Sequence, residues 1–275
     1  MSPFRASAGF TDRWEHFRFD VADSVATVTF DRPDRLNALT FDAYADLRDL
    51  LAELPHRDDV RVVVITGEGR GFCSGGDVHD IIGALQKSDT RTALDFTRMT
   101  GSVVGAMRAC PQPIVAAVNG VAAGAGAVIA LAADLRVLAR SATFRFLFTD
   151  VGLAGADMGS AYLLPRLVGL GRATELLLLG DPVDAVRAEA IGLANRVVDD
   201  DALPDEAGAL ARRLAEGPAM AVAATKLLLA REQDLDLAGA LELEAMTQAL
   251  LMTSEDHAEF YAAFREGRAA TWRGR

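Results

Sequence analysis

Val62-Val63-Val64-Ile65-Thr66-Gly67 runs through Gly69 and Gly71 into Phe72-Cys73-Ser74-Gly75-Gly76-Asp77, and Pro113-Ile114-Val115-Ala116-Ala117-Val118-Asn119-Gly120 runs into Gly124-Ala125-Gly126. Each stretch is an apolar run followed by a glycine cluster where a helix is expected to begin. The first run, from Val60 to Thr66, is nearly all β-branched, the mark of a strand covered on both faces. Glycine removes the Cβ, and bare backbone at the start of a helix aims N–H donors at an anionic oxygen. Two such donors from separate loops make an oxyanion hole, a device suited to a thioester carbonyl turning into an enolate. Taken singly, Gly75-Gly76 reads first as a tight turn, and Gly124 to Gly126 as a place where a helix packs closely.

Outward from these stretches the chain reads as α/β. Residues 24–30 alternate as a strand, with 17–21 as the hairpin partner, and 135–139 form a further short strand. Thr40 caps a helix running to about residue 54, and 77–85 and 92–109 are helical until Pro111 and Pro113 intervene. The apolar run 121–133 contains glycines, is too short for a membrane span and reads as a buried helix. Further helices are expected over 157–167, 172–179, 185–190, 201–216, 218–231, 235–251 and 254–268. Strands dominate the first half and helices the second, with no Ser-, Pro- or Gly-rich linker between them.

The composition bounds the function. A chain of 275 residues with 51% hydrophobic content suits one large domain, or a core with a small appendage. A net charge of −11 argues against nucleic acid and anionic membrane as partners, while a local Arg cluster still suffices for a phosphate-bearing ligand. The two cysteines, Cys73 and Cys110, make no disulfide framework, which points to reduced cytoplasm. Residues 1–19 lack the basic start and continuous apolar stretch of a signal peptide. The four histidines have no metal-site spacing, and there is no Gly-x-Ser-x-Gly elbow.

In order and spacing, several motifs together resemble the crotonase superfamily, also called the enoyl-CoA hydratase/isomerase family. They are Arg32-Pro33-Asp34-Arg35-Leu36-Asn37-Ala38-Leu39, the two glycine-rich stretches, Ala133-Asp134-Leu135-Arg136, Leu164-Pro165-Arg166-Leu167-Val168-Gly169, Glu175-Leu176-Leu177-Leu178-Leu179-Gly180 and Ala190-Ile191-Gly192-Leu193-Ala194. The resemblance implies a crotonase-like spiral of ββα units with a helical C-terminal region. It implies a core over 1–200 holding the acyl-CoA site, and helices over 201–275 that oligomerise and close that site. It also implies a homotrimer or dimer of trimers. The substrate would be an acyl-CoA thioester, with coenzyme A as its carrier part and no tightly bound cofactor. The two oxyanion N–H groups fall on Gly76 and Ala125; only backbone is required, so Ala is no obstacle. Ser74, Gly75 and Gly124 surround them. Asp77 is read first as a helix cap, with Val78 and Ile81 flanking the acyl channel.

The proton-transfer groups depart from the hydratase pattern. The two glutamate positions of the resemblance fall on Val128 and Phe148, neither of which accepts a proton. A different carboxylate is expected to act: Asp157, in a loop resembling those of dienoyl-CoA isomerases and of the aryl-CoA dehalogenase branch. Beside Phe148, Met158 and Val128 it would be poorly solvated and its pKa raised; the alternative is an N-cap on the helix that follows. Asp150 is a second candidate on a solvated turn. Phe146, Phe148 and Met158 suggest an apolar, ring-shaped pocket. For the coenzyme, Arg32, Arg35, Leu36 and Ala38 match the family's adenine and pantetheine wall, the arginines as phosphate partners or as ordinary surface charge. Phe264 matches the closing aromatic, and the usual lysine falls on Gly267, with Arg265 or Arg268 as substitutes. Hydration or double-bond isomerisation of an enoyl-CoA is the leading expectation. Hydrolysis of a thioester or carbon–carbon bond through Asp157, and an acyl-CoA-binding protein without turnover, are the alternatives.

Overall fold

The computed structural model describes residues 13–274; of the stretch read for a signal peptide, residues 1–12 lie outside the described residues. Among the described residues ten strands form two sheets. The larger has the order β1 (Arg18–Ala22), β2 (Val25–Phe30), β3 (Val62–Gly67), β5 (Ile114–Val118), β7 (Leu135–Ala139), β10 (Arg196–Val198). Only the β1–β2 hairpin is antiparallel; every other neighbouring pair runs parallel. The smaller sheet, β4 (Gly71–Cys73), β6 (Val121–Ala123), β8 (Thr143–Arg145), β9 (Val183–Asp184), is parallel except where β9 turns back along β8.

The two sheets grow together. β3 leads to β4, β5 to β6 and β7 to β8, and each pair then passes into helical backbone. Each turn of the chain therefore adds one strand to each sheet and a helix outside them, the spiral of ββα units that the motifs implied. β5, in the middle of the large sheet, is apolar along its whole length because it is covered on both faces: all five of its residues are buried. The Leu203–Ala215 helix covers β2, β3, β5 and β7, so the layer of helices over the large sheet continues past residue 200.

The apolar run 121–133 is not one helix. It is β6, a turn at Gly124 and the helix Ala125–Ala132, whose eight residues are all buried. Gly124 has φ +51°, a left-handed value that ends the strand and starts the helix on the same residue.

Candidate active site

Gly75 and Gly76 follow β4 directly and are pinned on both sides. The Leu39 N–H donates to the Gly75 carbonyl at 2.8 Å, and the Asp77 N–H donates to the Leu39 carbonyl at 2.8 Å. This one-residue parallel bridge skips the Gly76 N–H, which has no acceptor among the described residues. Asp77 then caps the next helical segment: its carboxylate accepts from the N–H groups of His79 at 3.0 Å and Asp80 at 3.3 Å, and pairs with the Arg32 guanidinium at 3.1 Å. Burial pushes the Asp77 carboxyl up, but those two N–H groups and Arg32 more than offset it, so its pKa lies below the ordinary value.

The second segment arrives from β6. The Gly124 N–H donates to the Arg145 carbonyl at 2.9 Å, and its carbonyl accepts from the Val128 N–H at 3.1 Å. Ala125 is the first residue of the helix, and its N–H is also without an acceptor among the described residues. The two segments meet at their glycines. A Cβ on Gly75, whose φ is +101°, would lie 3.1 Å from the Ala123 carbonyl oxygen and 3.4 Å from the Ala125 nitrogen. Glycine at 75 thus serves both the backbone conformation and the close approach of the two segments.

A third loop carries Asp157. Met158 has φ +49°, unusual for a side chain of that size, and Gly159 has φ +89°. The helix starts only at Ser160, with Gly159 at its cap and no side-chain cap bond. Asp157 is therefore not the N-cap; among the described residues its carboxylate accepts only the N–H of Met158, at 2.9 Å. The group is half-buried, and burial raises its pKa above the ordinary carboxylate value, with the Met158 N–H pulling the other way. The described residues thus hold two unengaged backbone N–H donors, on Gly76 and Ala125, and a half-buried carboxylate on Asp157.

The family model described as Enoyl-CoA hydratase/isomerase matches residues 20–275. The chain belongs to the enoyl-CoA hydratase/isomerase family. It is 36% identical over 255 residues to the 1,2-epoxyphenylacetyl-CoA isomerase of Escherichia coli K12, covering 93% of this chain and 97% of that protein. It is 34% identical over 260 residues to the (E)-benzylidenesuccinyl-CoA hydratase of Thauera aromatica, covering 93% and 98%. A crystal structure from Streptomyces coelicolor A3(2) superposes with a TM-score of 0.97 at 62% identity over 100% of both chains.

Within this family member the remaining expected site residues are placed as follows. Val128 is fully buried in the Ala125–Ala132 helix, and Phe148 and Met158 are buried, so both hydratase glutamate positions carry enclosed apolar side chains. Phe146 stacks on Phe144 with centroids 6.5 Å apart and is fully buried, so it belongs to the core and not to a pocket wall. Ile81 is buried against Gly76, whereas Val78 is exposed. Asp150 pairs with Arg145 at 2.8 Å on an exposed turn. Cys73 is fully buried, which pushes its thiol up to about 12, and it packs as a small apolar side chain.

The expected coenzyme wall is a compact turn. Leu36 and Asn37 take φ +49° and +57°, and the Asn37 side chain braces the turn against the carbonyls of Glu68 and Gly71. Ser74 donates through its N–H to the Leu36 carbonyl at 2.9 Å. Arg32 is used inside this wall, donating to the Ala38 carbonyl at 2.6 Å and pairing with Asp77. Arg35 is exposed with no ion pair among the described residues. In the C-terminal region Arg268 is held by Glu259 and Glu266, each at 2.6 Å, Arg265 lies over Tyr261, and Phe264 is exposed beside Phe260.

One residue next to Gly76 escaped the sequence reading. Tyr44 lies on the buried face of the Phe41–Glu53 helix with Ala43, Leu47, Leu50 and Leu51, a spacing that reads as plain core. Its hydroxyl comes within 3.6 Å of where a Cβ on Gly76 would sit. A hydroxyl among otherwise aliphatic positions was the one available signal.

Proposed function

We propose that this enzyme of enoyl-CoA hydratase/isomerase type shifts a double bond in an acyl-CoA thioester by way of an enolate. The observation that carries the reading is the meeting of the Gly75-Gly76 and Gly124-Ala125 segments with both the Gly76 and Ala125 N–H groups unengaged among the described residues. Together these donors would hold the thioester oxygen as negative charge moves onto it. The Asp157 carboxylate would take a proton from one carbon of the acyl group, the electron pair would pass to the thioester oxygen, and its return would place the proton on another carbon. One carboxylate suffices for that exchange. Addition of water by two carboxylates would need acceptors where Val128 and Phe148 stand. The isomerase name of the Escherichia coli relative favours the same reading and an acyl group carrying a ring.

Arg35 is the exposed cation for coenzyme A phosphate. The Leu237–Leu251 helix has no buried residue, and Leu237, Leu241, Met246 and Leu250 are all more than half exposed. An apolar face of that size suits burial between subunits of a trimer or dimer of trimers, with residues 201–275 as the assembling region. Reduced, buried Cys73 and Cys110 fit a cytoplasmic home, and among the described residues no helix is long and apolar enough to cross a membrane.

The test is Asp157→Asn, assayed on a panel of enoyl- and dienoyl-CoA thioesters with solvent deuterium present. A proton carrier contributes about 10²–10⁴-fold in rate, so the variant should lose turnover and deuterium incorporation together. Unchanged turnover would remove Asp157 from the mechanism. Release of free coenzyme A by the parent would favour hydrolysis, and tight coenzyme A binding by a parent without turnover would favour a binding protein.

A further inference from the structure

A cavity of about 560 Å³ lies at the far end of the Ala125–Ala132 helix, bordered by Leu131, Ala133 and Asp134. One helix length, roughly 12 Å, separates it from the Ala125 N–H. Its volume falls within the range of small-ligand sites, about 300–1,000 Å³. The walls are leucines: Leu131 from that helix, Leu163 and Leu167 from the Ser160–Val168 helix, Leu214 from the Leu203–Ala215 helix and Leu229 from the Ala219–Arg231 helix. Leu167 and Leu229 are exposed, so the apolar lining continues to the surface.

Four cations border this apolar space, Arg108, Arg136, Arg166 and Lys226, against the single carboxylate of Asp134. The whole chain carries a net charge of −11, so the excess of positive charge is local. Asp134 is already shared. Its Oδ1 accepts from Arg108 at 3.0 Å, and its Oδ2 pairs with the buried Lys226 Nζ at 2.7 Å and accepts the Ile114 N–H at 2.8 Å. The one ion pair of Arg166 among the described residues is to exposed Asp234, at 3.5 Å. Arg136 is 3% exposed and has no ion pair among the described residues. Its Nε donates to the Leu193 carbonyl at 2.7 Å, and its Nη1 to the carbonyls of Ala133 at 2.6 Å and Leu131 at 3.2 Å. These dipoles orient the guanidinium but bring no formal negative charge. Nη2 has no acceptor among the described residues and is not sealed off by protein, as a donor open to the cavity would be. Burial pulls Arg136 down to about 10, with Asp134 opposing and Arg108 adding to the shift, so the group stays cationic at neutral pH. A buried cation without a counter-ion is costly, and an anionic ligand removes that cost.

We infer that this cavity is a second binding site, apart from the oxyanion segments, for an amphipathic monoanion: a carboxylate held among Arg108, Arg136 and Lys226, with an apolar chain lying along the leucines toward the mouth. A free medium-chain fatty acid has that chemistry. The site stands independently of the acyl-CoA reading.

The test is calorimetric titration of octanoate into the full-length protein, with octan-1-ol as the uncharged control and butyryl-CoA present throughout to occupy the acyl-CoA site. The parent should bind about one octanoate per chain, about tenfold more tightly than octan-1-ol, the worth of a hydrogen bond to a charged group. Arg108→Gln should lose about tenfold for octanoate and nothing for octan-1-ol. Should Arg108→Gln melt early, Arg166→Gln at the exposed rim takes its place, with the same selective loss expected. No octanoate binding by the parent, equal affinity for the two ligands, or parent-like octanoate affinity in the folded variant would overturn the inference.

Discussion

Replacing Ala125 with proline removes one hydrogen-bond donor with little other disturbance. Ala125 is the first helical residue after Gly124, and its N–H has no acceptor among the described residues, so no bond inside the protein is lost. Proline is well suited to the first helical position, where its fixed φ is already that of the helix. Its ring replaces the hydrogen on the nitrogen that would lie 3.4 Å from a Cβ on Gly75. Losing one oxyanion donor costs about 2.7–4 kcal/mol of transition-state stabilisation, or about 10²–10³ in kcat. Ala125→Gly is the control, since it keeps the N–H at a cost of about 0.5–1 kcal/mol in helix stability. The assay pairs turnover of the parent's best enoyl-CoA substrate with thermal unfolding. The proline variant should melt within a few degrees of the parent and be nearly inactive, while the glycine variant stays active. A proline variant that melts normally and keeps its kcat within about twofold would refute the assignment of this amide.

Four other outcomes follow from the same geometry. The Asp157 carboxyl titrates above the ordinary Asp value of about 3.9, and the proposed proton transfer needs it ionised. The acid limb of kcat/KM should therefore fall at a higher pH than an exposed aspartate would give, and the limb should vanish in Asp157→Asn. The same raised pKa makes the contribution of Asp157 to folding fully present below about 3.9 and lost as pH rises through the folded value, so Asp157→Asn should be no less stable than the parent in urea at neutral pH. Asp77→Ala removes a cap and should cost about 0.5–2 kcal/mol at neutral pH by urea unfolding. Because the folded pKa of Asp77 is depressed, that contribution is present above the unfolded value and lost as pH falls through the folded one, so parent and variant should converge in acid. In Gly126→Ala the new Cβ would overlap the Cys73 carbonyl, and overpacking of that kind costs about 1–3 kcal/mol or more; an unchanged melting temperature would contradict the close packing of helix on β4.

Much of the large sheet was legible because its strands are long and apolar. β2, β3, β5 and β7 each fall within a run marked by β-branched or alternating residues. The small sheet was not, since its strands are two or three residues long, too short for alternation to register. β6 was absorbed into an expected helix because valine and alanine continue without a break from strand to helix, and only the left-handed Gly124 separates them. The helix expected from residue 157 begins three residues later because Met158 and Gly159 both take left-handed backbone. The candidate donors Gly76 and Ala125 were placed by family resemblance. That the Gly76 N–H is unengaged depends on where Leu39 bridges, a long-range pairing that local sequence does not encode, whereas the Ala125 N–H is unengaged because Ala125 opens its helix. Tyr44 was hidden by its helical spacing, which matches that of its aliphatic neighbours.

The most direct measurement is a crystal structure of the Asp157→Asn variant with an enoyl-CoA bound. The account predicts the thioester oxygen at about 2.7–3.1 Å from both the Gly76 and Ala125 nitrogens, with the residue 157 side chain over the acyl carbons. A thioester oxygen turned to solvent, or bound by one amide only, would contradict it.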